Sequence, residues 1–206
     1  MTDEFDYIII GAGSAGCVLA NRLSAGDATV CLLEAGGRDI NPMIHIPAGF
    51  MKTLTDKRVN WLFQSEPGEG TAGRRIPAPR GKVLGGSSSI NGHVYNRGPH
   101  NDFNTWSQLG NRGWRYADVL PYFKRSENRI GDGDDGYHGH DGELAVTDID
   151  DHDPVCDAFI DGVENMGIPR NPDYNGANQA GVGYFQRTIK NGRRMSAAVS
   201  FLNPVR

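Results

Sequence analysis

Three glycines and one carboxylate carry the first chemical signal in this sequence. Gly11, Gly13 and Gly16 follow the apolar run Tyr7–Ile10, and Glu34 closes a second apolar run, Thr29–Leu33, eighteen residues after Gly16. A glycine at 11 allows a tight turn out of a strand. One at 13 has no Cβ to hold a pyrophosphate off the main chain, and one at 16 lets a following helix pack close to the strand. A carboxylate at the end of the second strand accepts hydrogen bonds from ribose hydroxyls and repels a 2′-phosphate, which disfavours NADP. Together these residues describe a grip for a dinucleotide and leave NAD and FAD both open.

The elements that must position them lie in the same stretch, DYIIIGAGSAGCVLANRLSAGDATVCLLEAG. Tyr7–Ile10, short and β-branched, reads as a buried parallel strand. Residues 14–24 read as a helix with small and aliphatic neighbours at Cys17, Val18, Leu19 and Ala20, broken by the polar run 24–27 before the second strand. The helix directs its unpaired first N–H groups and the positive end of its dipole at the phosphates, so no lysine is needed. Strand, glycines, helix, strand and acid in that order supply the context that an isolated glycine motif lacks.

A second small-residue segment, GKVLGGSSSING at 81–92, can pack against a flat ring. The hydroxyls of Ser87, Ser88 and Ser89 and the amide of Asn91 can serve polar ring edges or cap a helix. Val83, Leu84 and Ile90 would be wasted in a solvated tether, which argues against a linker. The 28 glycines are about 14 % of the chain, against average usage near 7 %, and they cluster at 11–16, 81–92 and 131–142.

The remaining composition sets limits. With 206 residues and a net charge of −4 of mixed sign, the chain suits one domain, or one domain with an appendage, and shows no basic stripe for nucleic acid. Arg74-Arg75 and Arg193-Arg194 are isolated basic pairs. Cys17, Cys31 and Cys156 have no metal spacing and fit a reducing compartment, the first two as small apolar groups. No leader and no membrane span is legible, so a cytoplasmic protein is expected; peripheral contact with an inner membrane is compatible with this composition.

Farther along, residues 37–80 read as a long irregular stretch with Pro42, Pro47, Pro67, Pro77 and Pro79, suited to wrapping a cofactor in extended form. Asp118 reads as a helix cap with Pro121 in the first turn. Asp153-Pro154 opens a second helix on which Val155, Phe159, Val163 and Met166 form an amphipathic stripe. Residues 142–147 and 183–189 read as strands of a small additional sheet. Asp132, Asp134 and Glu143 resemble a calcium loop at three positions, but Gly136 and Tyr137 break the pattern, so GDGDDG reads as a solvated turn. His138 and His140, two apart, lack a third metal ligand. His93 is the one histidine expected near a bound ring.

These residues resemble a known family. GKVLGGSSSINGHVYNRGPHNDFN, at 81–104, is similar to the first signature of the glucose-methanol-choline (GMC) flavoprotein oxidoreductases, at the expected distance after GAGSAG and LLEAGG. The likeness continues through WRYADVLPYFKRSE, HGHDGEL and GVGYFQRTIKNGRRMSAAVSFLNP, and is strongest to the choline and aliphatic alcohol dehydrogenase branch.

The resemblance implies an α/β fold, α+β overall. Its parts are a Rossmann-like FAD-binding βαβ unit at 1–36, long cofactor-wrapping loops, a flavin-contacting loop at 81–104 and the start of a substrate or cap region at 130–195. It also implies FAD, with Gly11, Gly13, Ser14, Ala15 and Gly16 at the pyrophosphate and Glu34 and Ala35 at the adenosine ribose. Gly81, Val83, Gly85, Gly86, Ser87, Asn91, Gly92 and Val94 fall along the isoalloxazine. Some members attach flavin through a histidine where this chain has Ile90, so non-covalent FAD is implied.

The family oxidises a small-molecule alcohol, with oxygen or a quinone as electron acceptor, and its proton-taking histidine lies near the carboxyl end of a longer chain. No catalytic residue is therefore expected within these 206, which would form an amino-terminal portion with apolar faces left bare. A flavin-binding fragment or subunit without turnover, a flavin-retaining lyase or photodecarboxylase, and an NAD-dependent dehydrogenase stand as alternatives, the last disfavoured by the 81–104 loop.

Overall fold

Tyr7–Ile10 (β1), Ser14–Leu23 (α1) and Val30–Leu33 (β2) form in the order the sequence predicts, in a computed structural model that describes residues 4–206. β1 and β2 pair in parallel, Tyr7 opposite Val30 through Ile10 opposite Leu33. Gly11, at φ +94°, turns the chain out of β1, a conformation that costs an L side chain energy. A Cβ at Gly16 would lie 1.8 Å from the carbonyl oxygen of Gly11, so only glycine lets α1 sit this close to the turn. α1 buries Gly16, Cys17, Ala20 and Asn21.

β1 departs from the expected buried strand. Ile9 is buried, whereas Ile8 and Ile10 are exposed, Ile10 by 88 %. The side chains of a strand alternate between faces, and only one face of this pair is covered among the described residues. The four two-stranded sheets formed by those residues include no third strand beside β1 and β2.

The chain packs as two units, Met1–His93 with Ile189–Arg206, and Val94–Thr188. In the first, the stretch expected to be irregular contains short helices at Pro42–His45 (α2) and Phe50–Thr53 (α3) and a two-residue ladder, Phe63–Gln64 (β3) with Pro77–Ala78 (β4). Asn41 caps α2 by accepting from the Met43 N–H, and Pro42 occupies the first helical position, where no N–H partner is needed. Ile44, Val59, Val83 and Ile90 make a buried cluster, which removes the linker reading of 81–92.

In the second unit, His100–Gln108 (α4) and Tyr116–Ser126 (α5) meet through Phe103, Trp106, Tyr116 and Phe123. α5 begins two residues before the expected cap. Asp118 lies inside its first turn and accepts from the Arg115 N–H and guanidinium, while Pro121 falls in the interior and withdraws one helical hydrogen bond. Glu127–Ile130 (β5) and Leu144–Thr147 (β6) pair in parallel.

Pro154–Asn165 (α6) is capped by Asp153 as predicted, but its stripe points outward. Ile160 is buried, whereas Val155, Phe159 and Met166 are exposed. Of residues 183–189 only Ile189 enters a strand: Arg187 bridges Val94 and Thr147, and a short hairpin pairs Ile189–Lys190 (β7) with Arg193–Arg194 (β8).

Candidate cofactor site

The glycine turn and the 81–92 loop form one surface in the first unit. Gly85 N–H donates to the carbonyl of Ala12 at 2.7 Å, and a Cβ at Gly86 would come within 2.8 Å of the Gly13 Cα. Two glycine-rich backbones are thus in contact, which any larger side chain would separate. At Gly13 itself nothing lies within 4 Å of a would-be Cβ, and Gly13 caps α1 without a side-chain hydrogen bond. The helix therefore presents its first-turn N–H groups uncapped by side chains, the condition for holding an anion.

Glu34 is fixed from both sides. Its Oε2 accepts from Ala12 N–H and its Oε1 from Gly36 N–H, each at 2.8 Å. Each oxygen retains a lone pair for a hydroxyl donor. Cys17 lies beneath, its Sγ on the Ala12 carbonyl, and burial pushes its thiol up to about 11, so it acts as packing and not as a thiolate.

In the loop, Ser87 Oγ accepts from Gly81 N–H at 3.1 Å, Ser88 Oγ donates to Gly85 O at 2.6 Å and Ser89 Oγ to Leu84 O at 2.7 Å. The hydroxyls expected at ring edges thus brace the loop's own backbone. Leu84 N–H reaches the Gly37 carbonyl at 3.0 Å, joining the loop to the segment after Glu34.

Among the predicted residues, Ser14, Ala15, Ala35, Ser87, Asn91 and Gly92 are exposed, Gly11, Gly13, Glu34 and Gly81 are half-buried, and Gly16, Gly85 and Gly86 are buried. Val83 gives its side chain to the core and Ile90 lies beside it, so no nucleophile occupies the position where a histidine could attach a flavin. Val94 opens the second unit, where it bridges Arg187. His93 is buried at φ +67° with its ring edge-on to Phe50 at 6.0 Å.

Two residues escaped the reading of the sequence. Asp39 is buried with Oδ2 lacking a hydrogen-bond partner among the described residues, and Arg194 is buried beneath the loop, its partner in the dipeptide, Arg193, remaining exposed. The signal for Arg194 was the small-residue run Ser196-Ala197-Ala198 that follows it, all buried.

The second unit holds a different cluster. His138, with no exposed side-chain surface, hydrogen-bonds Glu127 through Nδ1 at 3.2 Å and Asp173 through Nε2 at 3.0 Å. Arg97 Nη2 meets the same Glu127 at 2.6 Å. Burial pulls the imidazole pKa down, but the bonds to Asp173 and Glu127 outweigh it and carry it up to about 9. His140 instead meets Asp135 and the Arg129 carbonyl at the surface. No group of residues among those described could hold a metal ion.

The surface in the first unit fits an ADP-containing dinucleotide: an open glycine turn, an uncapped helix start, and a carboxylate pre-set by two backbone donors. The chain belongs to the GMC oxidoreductase family, whose model matches residues 5–206. It is 50 % identical over 202 residues to an oxygen-dependent choline dehydrogenase of Rhizobium rhizogenes, and 48 % identical to an alcohol dehydrogenase [acceptor] of Pseudomonas putida. In both cases the match covers 98 % of this chain and 37 % of the relative, so the chain spans well under half the length of these relatives. Among solved structures, pyridoxine 4-oxidase of Mesorbium loti superposes with a TM-score of 0.92 at 36 % identity, over 98 % of this chain and 40 % of that one. The Aspergillus oryzae formate oxidase, a protein studied for modification of its FAD, superposes at 0.88 with 26 % identity, over 100 % and 38 %. No helix among the described residues is long and apolar enough to cross a membrane.

Proposed function

We propose that this chain is the cofactor-binding portion of an FAD-dependent oxidoreductase that oxidises the CH–OH group of a small alcohol, choline among them, to an aldehyde, with oxygen or a quinone as acceptor. The observation that carries this reading is the contact of the two glycine backbones beside the braced carboxylate of Glu34. β1, α1 and β2 act as a Rossmann-like unit. Gly11, Gly13, Ser14, Ala15 and Gly16 hold the pyrophosphate by main-chain N–H groups, and Glu34 with Ala35 holds the adenosine ribose.

Gly81, Gly85, Gly86, Ser87, Asn91 and Gly92 line the isoalloxazine, with Val83 contributing main chain only, and the flavin is bound non-covalently because Ile90 offers no attachment atom. When bound, the flavin supplies the hydride acceptor; the protein supplies geometry and charge. Residues 1–36 and 81–104 serve the cofactor, and 130–195 begin the substrate region. The three free cysteines fit a cytoplasmic setting.

The test is a visible spectrum of the purified protein, followed by anaerobic addition of choline and a panel of primary alcohols. Flavin bands that bleach, with yellow colour released into the supernatant after acid precipitation, support the reading and its non-covalent form. A colourless protein that binds NAD sinks it. Colour without bleaching supports a flavin-binding portion that does not turn over.

A further inference from the structure

Arg194 is 1 % exposed, yet none of its hydrogen-bond partners is charged. Its Nε donates to the Ile44 carbonyl at 2.7 Å, and its Nη1 donates to the Ser88 carbonyl at 3.0 Å and to Asn91 Oδ1 at 2.7 Å. Nη2 is buried without a hydrogen-bond partner among the described residues. Among the described residues no acidic side chain offsets the guanidinium; burial acts on it, lowering its pKa to about 10, so it stays protonated at neutral pH. Buried arginines are normally matched by a carboxylate, because an uncompensated charge in a low dielectric is costly.

Three neutral acceptors explain a staple. They do not explain why the staple carries a charge. The two acceptors in the loop, Ser88 and Asn91, lie in the 85–92 segment, and Ser88 is gripped a second time when its Oγ accepts from Ala197 N–H at 2.9 Å. Arg194 and Ala197 thus seize one residue of the loop from two points of the same returning segment.

We propose that Arg194 is a positioning residue that fixes the 85–92 loop and, as a buried uncompensated cation, favours the reduced form of the flavin held against that loop. The inference rests on the cofactor reading given above. Reduction of an isoalloxazine by hydride, two electrons and one proton, adds one negative charge to the ring. A fixed positive charge nearby stabilises that product more than the oxidised form. It therefore makes the bound flavin a stronger oxidant.

The experiment uses the intact flavoprotein and compares wild type, Arg194→Lys and Arg194→Gln by FAD affinity in reconstitution and by midpoint potential in a spectroelectrochemical titration. Both variants lose the planar fork and should bind FAD about tenfold more weakly, the loss expected for a charge-assisted hydrogen bond. The potential should fall in Arg194→Gln and stay near wild type in Arg194→Lys. A purely structural role predicts no such split, so equal potentials in all three proteins, or equal falls in both variants, overturn the proposal.

If neither variant folds, the wild-type flavoprotein decides: a midpoint potential above that of free FAD upholds the proposal, and one at or below it overturns it. A wild-type protein that takes up no flavin overturns the cofactor reading itself, an outcome seen before any variant is made.

Discussion

β1 with β2 and β5 with β6 are both parallel pairs of four residues, but they are built on opposite chemistry. The first pair is apolar and joined by α1, with the outer face of Ile8 and Ile10 bare. The second is joined by the irregular segment 131–143 and carries Glu127 and Arg129, both buried. Around the second pair the polar groups answer one another: Arg97 and His138 with Glu127, Asp173 with His138, Arg129 with Asp148. Around the first, the polar groups on offer are main-chain N–H at a helix start and a carboxylate with spare lone pairs. A region whose buried charges are paired with one another is a framework, and one that leaves pre-set donors and acceptors open is a candidate site.

The comparison breaks most severely at Gly16. Gly16→Val should cost more than about 4 kcal/mol and abolish flavin colour, since its Cβ would meet a backbone oxygen that cannot move aside; thermal melting with a visible spectrum measures both. Next comes Glu127→Ala, which strands Arg97 and removes one partner of His138. Denaturant unfolding should show a loss of about 3–5 kcal/mol, the range for breaking a buried ion pair. A loss below about 1 kcal/mol would mean that the framework reading is wrong.

Glu34→Gln should weaken FAD binding by about 1.5–3 kcal/mol, since it removes a charged acceptor that two backbone donors hold in place. Equilibrium dialysis of the apoprotein against FAD tests this, and an unchanged affinity would take Glu34 out of the site.

Protonation separates the two regions further. With His138 raised from 6.5 to about 9 in the folded state, its contribution to stability is complete below about pH 6.5 and is lost as pH rises through about 9. Burial pushes the Asp173 pKa up, but its bond to His138 outweighs this and holds it below its ordinary value. Its contribution is therefore present above the usual carboxylate range and lost as pH falls. Stability should form a plateau from above the carboxylate range to about pH 6.5 and decline from there to about pH 9, and His138→Gln should flatten that decline; urea midpoints at a series of pH values show whether it does. The smallest effect belongs to Ile10→Ser, which should change the stability of this chain by less than about 0.5 kcal/mol in the same assay, because Ile10 is already in water.

The site was more legible than the framework because its signals are short-ranged. The glycines at 11, 13 and 16 and the acid at 34 act through backbone geometry within one βαβ unit, where spacing in sequence is close to spacing in space. The stripe on α6 was legible as a stripe, but periodicity says only that two faces differ, and here the apolar one faces solvent. Residues 183–188 read as a strand yet find only isolated bridges at Arg187, because a strand needs a partner that propensity does not supply.

What the sequence determined by itself is the glycine geometry on which the proposed cofactor grip rests, since only residues without a Cβ permit the turn, the helix approach and the loop contact. Tertiary structure alone decided which charges went inside. Arg194 and Arg193 are the same residue one position apart, and Glu127 stands in a run, Glu-Asn-Arg, that reads as surface. Burial of a charge depends on acceptors brought to Arg194 from Ile44, Ser88 and Asn91, or on donors brought to Glu127 from Arg97 and His138, and those distances exist only once the chain has folded.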